Sequence, residues 1–106
     1  MILDKNGETF IYHGITYSIG HQVLATSQSE YKGLYGTIIE IRDGFDKETE
    51  NSTPDIYCSF APPTDRDSIL KLEAIFSDLY QQPKIIDDIS FDAVIMAPEM
   101  LQLIDE

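Results

Sequence analysis

The sequence predicts a mainly β fold with one helix: a small closed five-stranded barrel with the helix inserted before the last strand. Three observations lead there. Short apolar runs rich in β-branched and aromatic residues recur along the chain, bounded by glycine, proline and polar clusters. Gly33 and Gly36, three apart after a polar loop, separate two such runs and let the backbone fold back tightly. Only one stretch, residues 65–81, carries a long helical period. Closing the strands removes exposed edges, which a chain of 106 residues must otherwise protect. An open antiparallel sheet packed on the helix is the competing architecture.

The elements follow in order. Asn6-Gly7 is a turn signal, and Thr9–Tyr12 is a short strand. His13-Gly14 can turn the chain so that Ile15–Tyr17 pairs back. Residues 22–26 form the next strand and residues 27–32 a polar loop. Thr37–Arg42 is the clearest strand; alternation puts Ile39 and Ile41 on one face and Ile38, Glu40 and Arg42 on the other. Residues 43–54 form a charged loop, and residues 55–60 return as an antiparallel neighbour of 37–42. Ala61-Pro62-Pro63 ends that ladder. Thr64 then reads as a helix N-cap with Asp67 as its capping-box partner. Ile69, Leu72, Phe76 and Leu79 recur at helical spacing, widened by Ile75 and Tyr80, and Pro83 bounds the helix. Ala93–Ala97 reads as a final buried strand, and Pro98 allows a helical turn over Glu99–Ile104 with Leu101 and Ile104 inward. Length predicts one domain, residues 1–106.

The net charge of −12 is unevenly placed. Residues 1–42 hold four acids against three bases, whereas residues 43–106 hold 15 acids against four bases. Such a surface repels phosphate backbones, so direct nucleic-acid binding is not expected. It favours solubility and can steer a basic partner onto the chain. A single cysteine, Cys58, forbids an internal disulfide and, within a strand, reads as a small buried apolar residue. No leader segment or membrane-spanning run is visible, so a cytoplasmic location is the default expectation.

Candidate chemistry is sparse. Asp43, Asp46, Glu48 and Glu50 lie within eight residues beside Gly44, but not at EF-hand spacing, and Lys47 interrupts them. A solvated loop explains them more simply than calcium. His13 and His21 have no metal-ligand spacing to each other or to Cys58. Asp87, Asp88 and Asp92 read as caps rather than an acid–base group. No catalytic residue, metal or cofactor is expected. Tyr31 and Tyr35 flank Lys32-Gly33 at a loop tip, and exposed tyrosines are good contact anchors. Exposure is expected for Tyr31, while Tyr35 could equally plug one barrel end.

The segment Ile19-Gly20-His21-Gln22-Val23-Leu24-Ala25, followed by Tyr31 to Ile41, resembles the KOW motif of ribosomal proteins and transcription elongation factors. Gly20, Val23, Lys32, Gly33, Gly36, Ile38 and Ile41 carry the match, about a quarter of the chain, with His21 where an acid is usual. The resemblance implies an SH3-like barrel whose loops contact RNA or protein. Only Lys32 is basic near the matching loop, so protein contact is the habit it transfers. The expected function is a non-catalytic, acidic, protein-binding module of bacterial type. Tyr31, Lys32, Tyr35, Asp43, Asp46, Glu48 and Glu50 are the candidate contact residues, and the expected partner is a protein, basic or nucleic-acid-handling. One alternative is a nucleic-acid-mimicking inhibitor of the kind carried by a phage or mobile element, its carboxylates occupying a phosphate groove. The other is a small metal-binding or enzymatic domain.

Overall fold

A computed structural model describes residues 1–104. The chain is mostly β with one helix. Its strands are β1 (Ile2–Leu3), β2 (Thr9–Tyr12), β3 (Ile15–Ser18), β4 (Gln22–Ala25), β5 (Tyr35–Arg42), β6 (Asp55–Phe60), β7 (Val94–Met96) and β8 (Leu101–Leu103). Helix α1 (Arg66–Tyr80) lies between β6 and β7. The main sheet has the order β7-β6-β5-β4-β8, with β1 also on β5, and every pairing is antiparallel. β2 and β3 form a separate two-stranded ribbon.

The sheet is open. β7 and β8 stand at its two ends and do not pair with each other among the described residues. Helix α1 packs against the sheet: its buried Leu72 and Phe76 join Val23, Ile38, Ile41, Ile56, Cys58, Phe60 and Met96 in one core. The competing architecture of the sequence, sheet against helix, is therefore the one adopted.

Several local expectations hold for the stated reasons. His13 and Gly14 both have positive φ (49° and 78°), the geometry of a two-residue hairpin turn that matches the twist of its flanking strands. β4 and β5 pair, with Val23 opposite Gly36. Gly36 is required by close approach: a Cβ there would lie 2.7 Å from the Phe60 ring and 2.8 Å from the Ser59 carbonyl. Among the described residues, no helix is long and apolar enough to cross a membrane.

Four expectations are corrected. In β5 the register slips between Ile38, opposite Cys58, and Glu40, opposite Tyr57. Ile39 is the extra residue of a β-bulge, so Ile38 and Ile41 are the fully buried pair while Ile39 faces solvent. The helix cap is Asp65, whose Oδ2 accepts from Ser68 N at 2.9 Å, and not Thr64. Pro62-Pro63 keeps the chain extended past Thr64, and the carboxylate meets the positive end of the helix dipole. Leu79 and Tyr80, expected inward, are more than half exposed; the inward side chains of α1 are Leu72 and Phe76. The C-terminal segment is a 3₁₀ turn, Pro98–Met100, followed by β8 rather than a helical turn. Leu101-Gln102-Leu103 alternates at strand period and satisfies the otherwise open edge of β4.

Candidate functional site

The seven candidate contact residues fall into two groups at opposite ends of β5. Tyr31, Lys32 and Tyr35 lie at its start and Asp43, Asp46, Glu48 and Glu50 beyond its end. Eight residues at about 3.3 Å rise separate the groups by roughly 25 Å. They do not make one surface.

Tyr31 is not at a loop tip. It is 5% exposed and is the centre of an aromatic cluster. Its ring stacks on Phe60 (centroids 5.3 Å apart) and meets the edges of Phe76 and Phe91. Ser29, also buried, turns the loop inward: its Oγ accepts from Tyr31 N at 3.0 Å. The Tyr31 hydroxyl donates to the Ser90 carbonyl at 2.6 Å, which makes complete burial of a phenol tolerable. Burial, and then the charges of Glu30 and Tyr80, push its pKa up to about 12. Tyr31 thus ties β6, α1 and the segment before β7 together and is withdrawn from contact. Lys32 and Tyr35 remain exposed.

The other end of β5 is built differently. The loop from Asp43 to Pro54 begins with a 3₁₀ turn, Gly44–Asp46. At its tip stands Phe45, the most exposed large apolar side chain described. Phe45 is not among the expected contact residues; its signal in the sequence is an aromatic with no apolar partner at strand or helix period, set between Gly44 and Asp46.

Beneath the tip lies a second residue the sequence reading missed. Asp55 begins β6 and is 2% exposed. Its Oδ2 accepts from Glu48 N at 2.8 Å and Thr49 N at 3.0 Å, and its Oδ1 accepts from the Thr49 hydroxyl. Lys47 Nζ stands 3.8 Å away. Burial would raise the Asp55 pKa, but the Thr49 and Glu48 hydrogen bonds and the Lys47 charge outweigh it and hold the carboxyl below its ordinary value. The charged loop is therefore fastened to the sheet through a buried carboxylate.

The loop carboxylates are also sorted. Glu48 accepts from Arg42 Nη1 at 3.2 Å, and the same guanidinium pairs with Glu40. Asp46 pairs with the Met1 ammonium. Asp43 and Glu50 have no ion-pair partner among the described residues. Arg42 also lies over the Tyr57 ring, 5.1 Å from its centroid. Among the described residues the buried Tyr57 hydroxyl has no partner at hydrogen-bond geometry; burial, and then the interaction with the nearby Glu48 carboxylate, push its pKa up to about 12.

The remaining polar residues have local structural roles. Burial pushes the Cys58 thiol up to about 12, far from nucleophilic range. His21 Nε2 lies 2.9 Å from the Ile104 carbonyl, at the edge of an open cleft of about 620 Å³. His13 stacks on Tyr12 at the exposed ribbon turn. Asp88 accepts from Ile85 N, and Asp92 from the Ser59 hydroxyl, while Asp87 points to solvent. Among the described residues, no three His, Cys, Asp or Glu side chains are grouped to hold a metal ion. Comparison with protein-family models, with curated proteins and with solved structures gives no match to this chain.

Proposed function

We propose that this chain is a non-catalytic interaction module whose contact element is the Asp43–Glu50 loop, presented to a basic protein partner. The observation that carries the reading is Phe45, fully exposed at the tip of a rigidly anchored acidic loop. An exposed aromatic is a poor surface residue but a good anchor: it supplies apolar area to bury, while surrounding carboxylates supply orientation and encounter rate. Asp55 and Arg42 hold the loop before any partner arrives, which lowers the ordering entropy lost on binding. The KOW-like character of residues 19–42 adds to the same reading, since hairpins of that kind belong to protein-contacting barrels. Lys32 and Tyr35 stand too far away to share this contact.

The test is affinity capture from cells of the chain's origin at low and high salt. Wild type is compared with Phe45→Ser and with the double reversal Asp43→Lys/Glu50→Lys. The expected result is a set of basic proteins released by salt and lost with both variants, with far-UV spectra unchanged. Retention of the same proteins by both variants would overturn the assignment of the loop.

A further inference from the structure

The end of β5 opposite Phe45 carries a hollow of complementary chemistry. Lys32, Gly33 and Leu34 form one wall, and Lys71, Leu72 and Ile75 of α1 form the other, around about 180 Å³. Leu34, Leu72 and Ile75 make the floor apolar. Lys32 and Lys71 are exposed on the rim, and neither is in an ion pair among the described residues. Arg42 pairs with Glu40 and Glu48, Lys47 with Asp55, and Lys84 lies over the Tyr80 ring, whereas Lys5 and Arg66, like Lys32 and Lys71, are in no ion pair among the described residues; only Lys32 and Lys71 flank an apolar hollow. An adjoining depression shares Lys32 and Ile75 and carries Glu30 and Asp78, so the Lys71 side of the hollow is the more favourable for negative charge.

We propose that this hollow receives the Phe45 loop of a second copy of the chain, giving head-to-tail association. The proposal rests on the reading of that loop as a contact element and adds to the basic protein a second occupant for it, another copy of the chain. Phe45 is an apolar knob flanked by two carboxylates without cation partners, Asp43 and Glu50. The hollow is an apolar socket flanked by two unpaired lysines. Knob and socket lie about 25 Å apart along the rigid strand β5, so one molecule cannot satisfy both itself. The contact joins two different surfaces, which makes it heterologous, and it propagates into a ring or an open chain. The net charge of −12 opposes association at long range. At physiological ionic strength that repulsion is screened beyond about 8 Å, whereas the local pairs act in contact.

Sedimentation of the purified chain from micromolar to millimolar concentration, at physiological ionic strength, tests this. Wild type is expected to associate progressively beyond a dimer. Phe45→Ser keeps the socket and loses the knob; Lys32→Glu/Lys71→Glu keeps the knob and loses the socket. Each variant alone is expected to be monomeric. An equimolar mixture of the two is expected to form a dimer that grows no further, because each copy supplies one competent end. Asp43→Lys/Glu50→Lys, which changes two loop charges that make no ion pair among the described residues, is a second knob-side variant and is expected to behave like Phe45→Ser. A monomeric wild type overturns the proposal, as does a mixture that stays monomeric while wild type associates. If wild type is monomeric but Phe45→Ser still loses its captured basic proteins, the loop belongs to that partner and self-association is overturned alone. If wild type associates and the variants retain those proteins, it is the heterologous-partner reading that fails.

Discussion

Tyr31 shows how one hydrogen bond decides whether an aromatic in a polar loop faces in or out. Its neighbours in sequence are polar, and nothing in the 27–32 run has core periodicity. The Ser90 carbonyl, 59 positions away, supplies the partner that burial requires. No local pattern carries that information. Removing only the hydroxyl, in Tyr31→Phe, leaves the ring stacked on Phe60 and orphans the carbonyl; the expected loss is about 1 kcal/mol. Tyr31→Ala empties the centre of the aromatic cluster and is expected to cost about 3–5 kcal/mol. Urea unfolding of the two variants measures both. A Tyr31→Ala loss as small as that of an exposed residue would contradict the buried placement.

Among the elements, the charged loop is held by electrostatics that acid should undo. The Asp55 carboxyl has a lowered pKa in the folded chain and an ordinary value near 3.8 when unfolded. A lowered folded pKa means the unfolded state binds the proton more readily. Its stabilisation is therefore complete above about pH 4 and is lost as pH falls below that value towards the folded pKa. Asp55→Asn is expected to be less stable than wild type at neutral pH, since it weakens the hold on the Glu48 and Thr49 amides. The difference should shrink below pH 4, as wild type loses its own charge. Unfolding midpoints of the two proteins across the acid range decide this; a constant gap would remove Asp55 from the acid response. The same loop shows what sequence made visible. Its boundaries, and the antiparallel strands on either side, followed from alternation and from Asp43-Gly44 and Thr53-Pro54. The single helix and the His13-Gly14 hairpin were equally legible, because propensity and turn chemistry act locally. Strict alternation failed at Ile39, where a bulge adds one residue and brings Ile38 and Ile41, three apart, to the same inward face while Ile39 turns outward. Period-2 reading cannot see an insertion whose cause is the partner strand. Leu101-Gln102-Leu103 carried a strand signal of its own, but its meaning depended on β4 having a free edge, which is a property of the assembled sheet. For the candidate site, the acidic residues were legible from composition and Phe45 left only the weak signal of an unpartnered aromatic in a polar loop; the burial of Asp55 left none, because it arises only when the loop folds over the start of β6.

For the molecule as a whole, the excess of acids divides into carboxylates that build the fold and carboxylates that only charge it. Glu8, Asp55, Asp65, Glu73 and Asp88 each accept backbone N–H groups. Asp67 and Asp87 are exposed and accept none among the described residues. The second class contributes repulsion without compensation. Attraction opposing it is limited: the ion pairs described are Arg42 with two glutamates, Lys47 with Asp55, and the Met1 ammonium with Asp46. Lys47–Asp55 is buried; the more exposed pairs are worth about 0–1 kcal/mol each. Repulsion summed over a net −12 exceeds them, so screening should favour the folded state. Raising ionic strength from a few millimolar to physiological values is expected to raise the melting temperature, measured at protein concentrations dilute enough to keep copies apart. Reversing one free acid, Asp87→Lys, should reproduce part of that gain and flatten the salt dependence. Asp65→Ala, which removes a cap, should instead lower stability by about 1 kcal/mol at every ionic strength. A melting temperature that falls with salt would mean that the few ion pairs outweigh the surplus charge, and the division between the two classes of carboxylate would have to be redrawn.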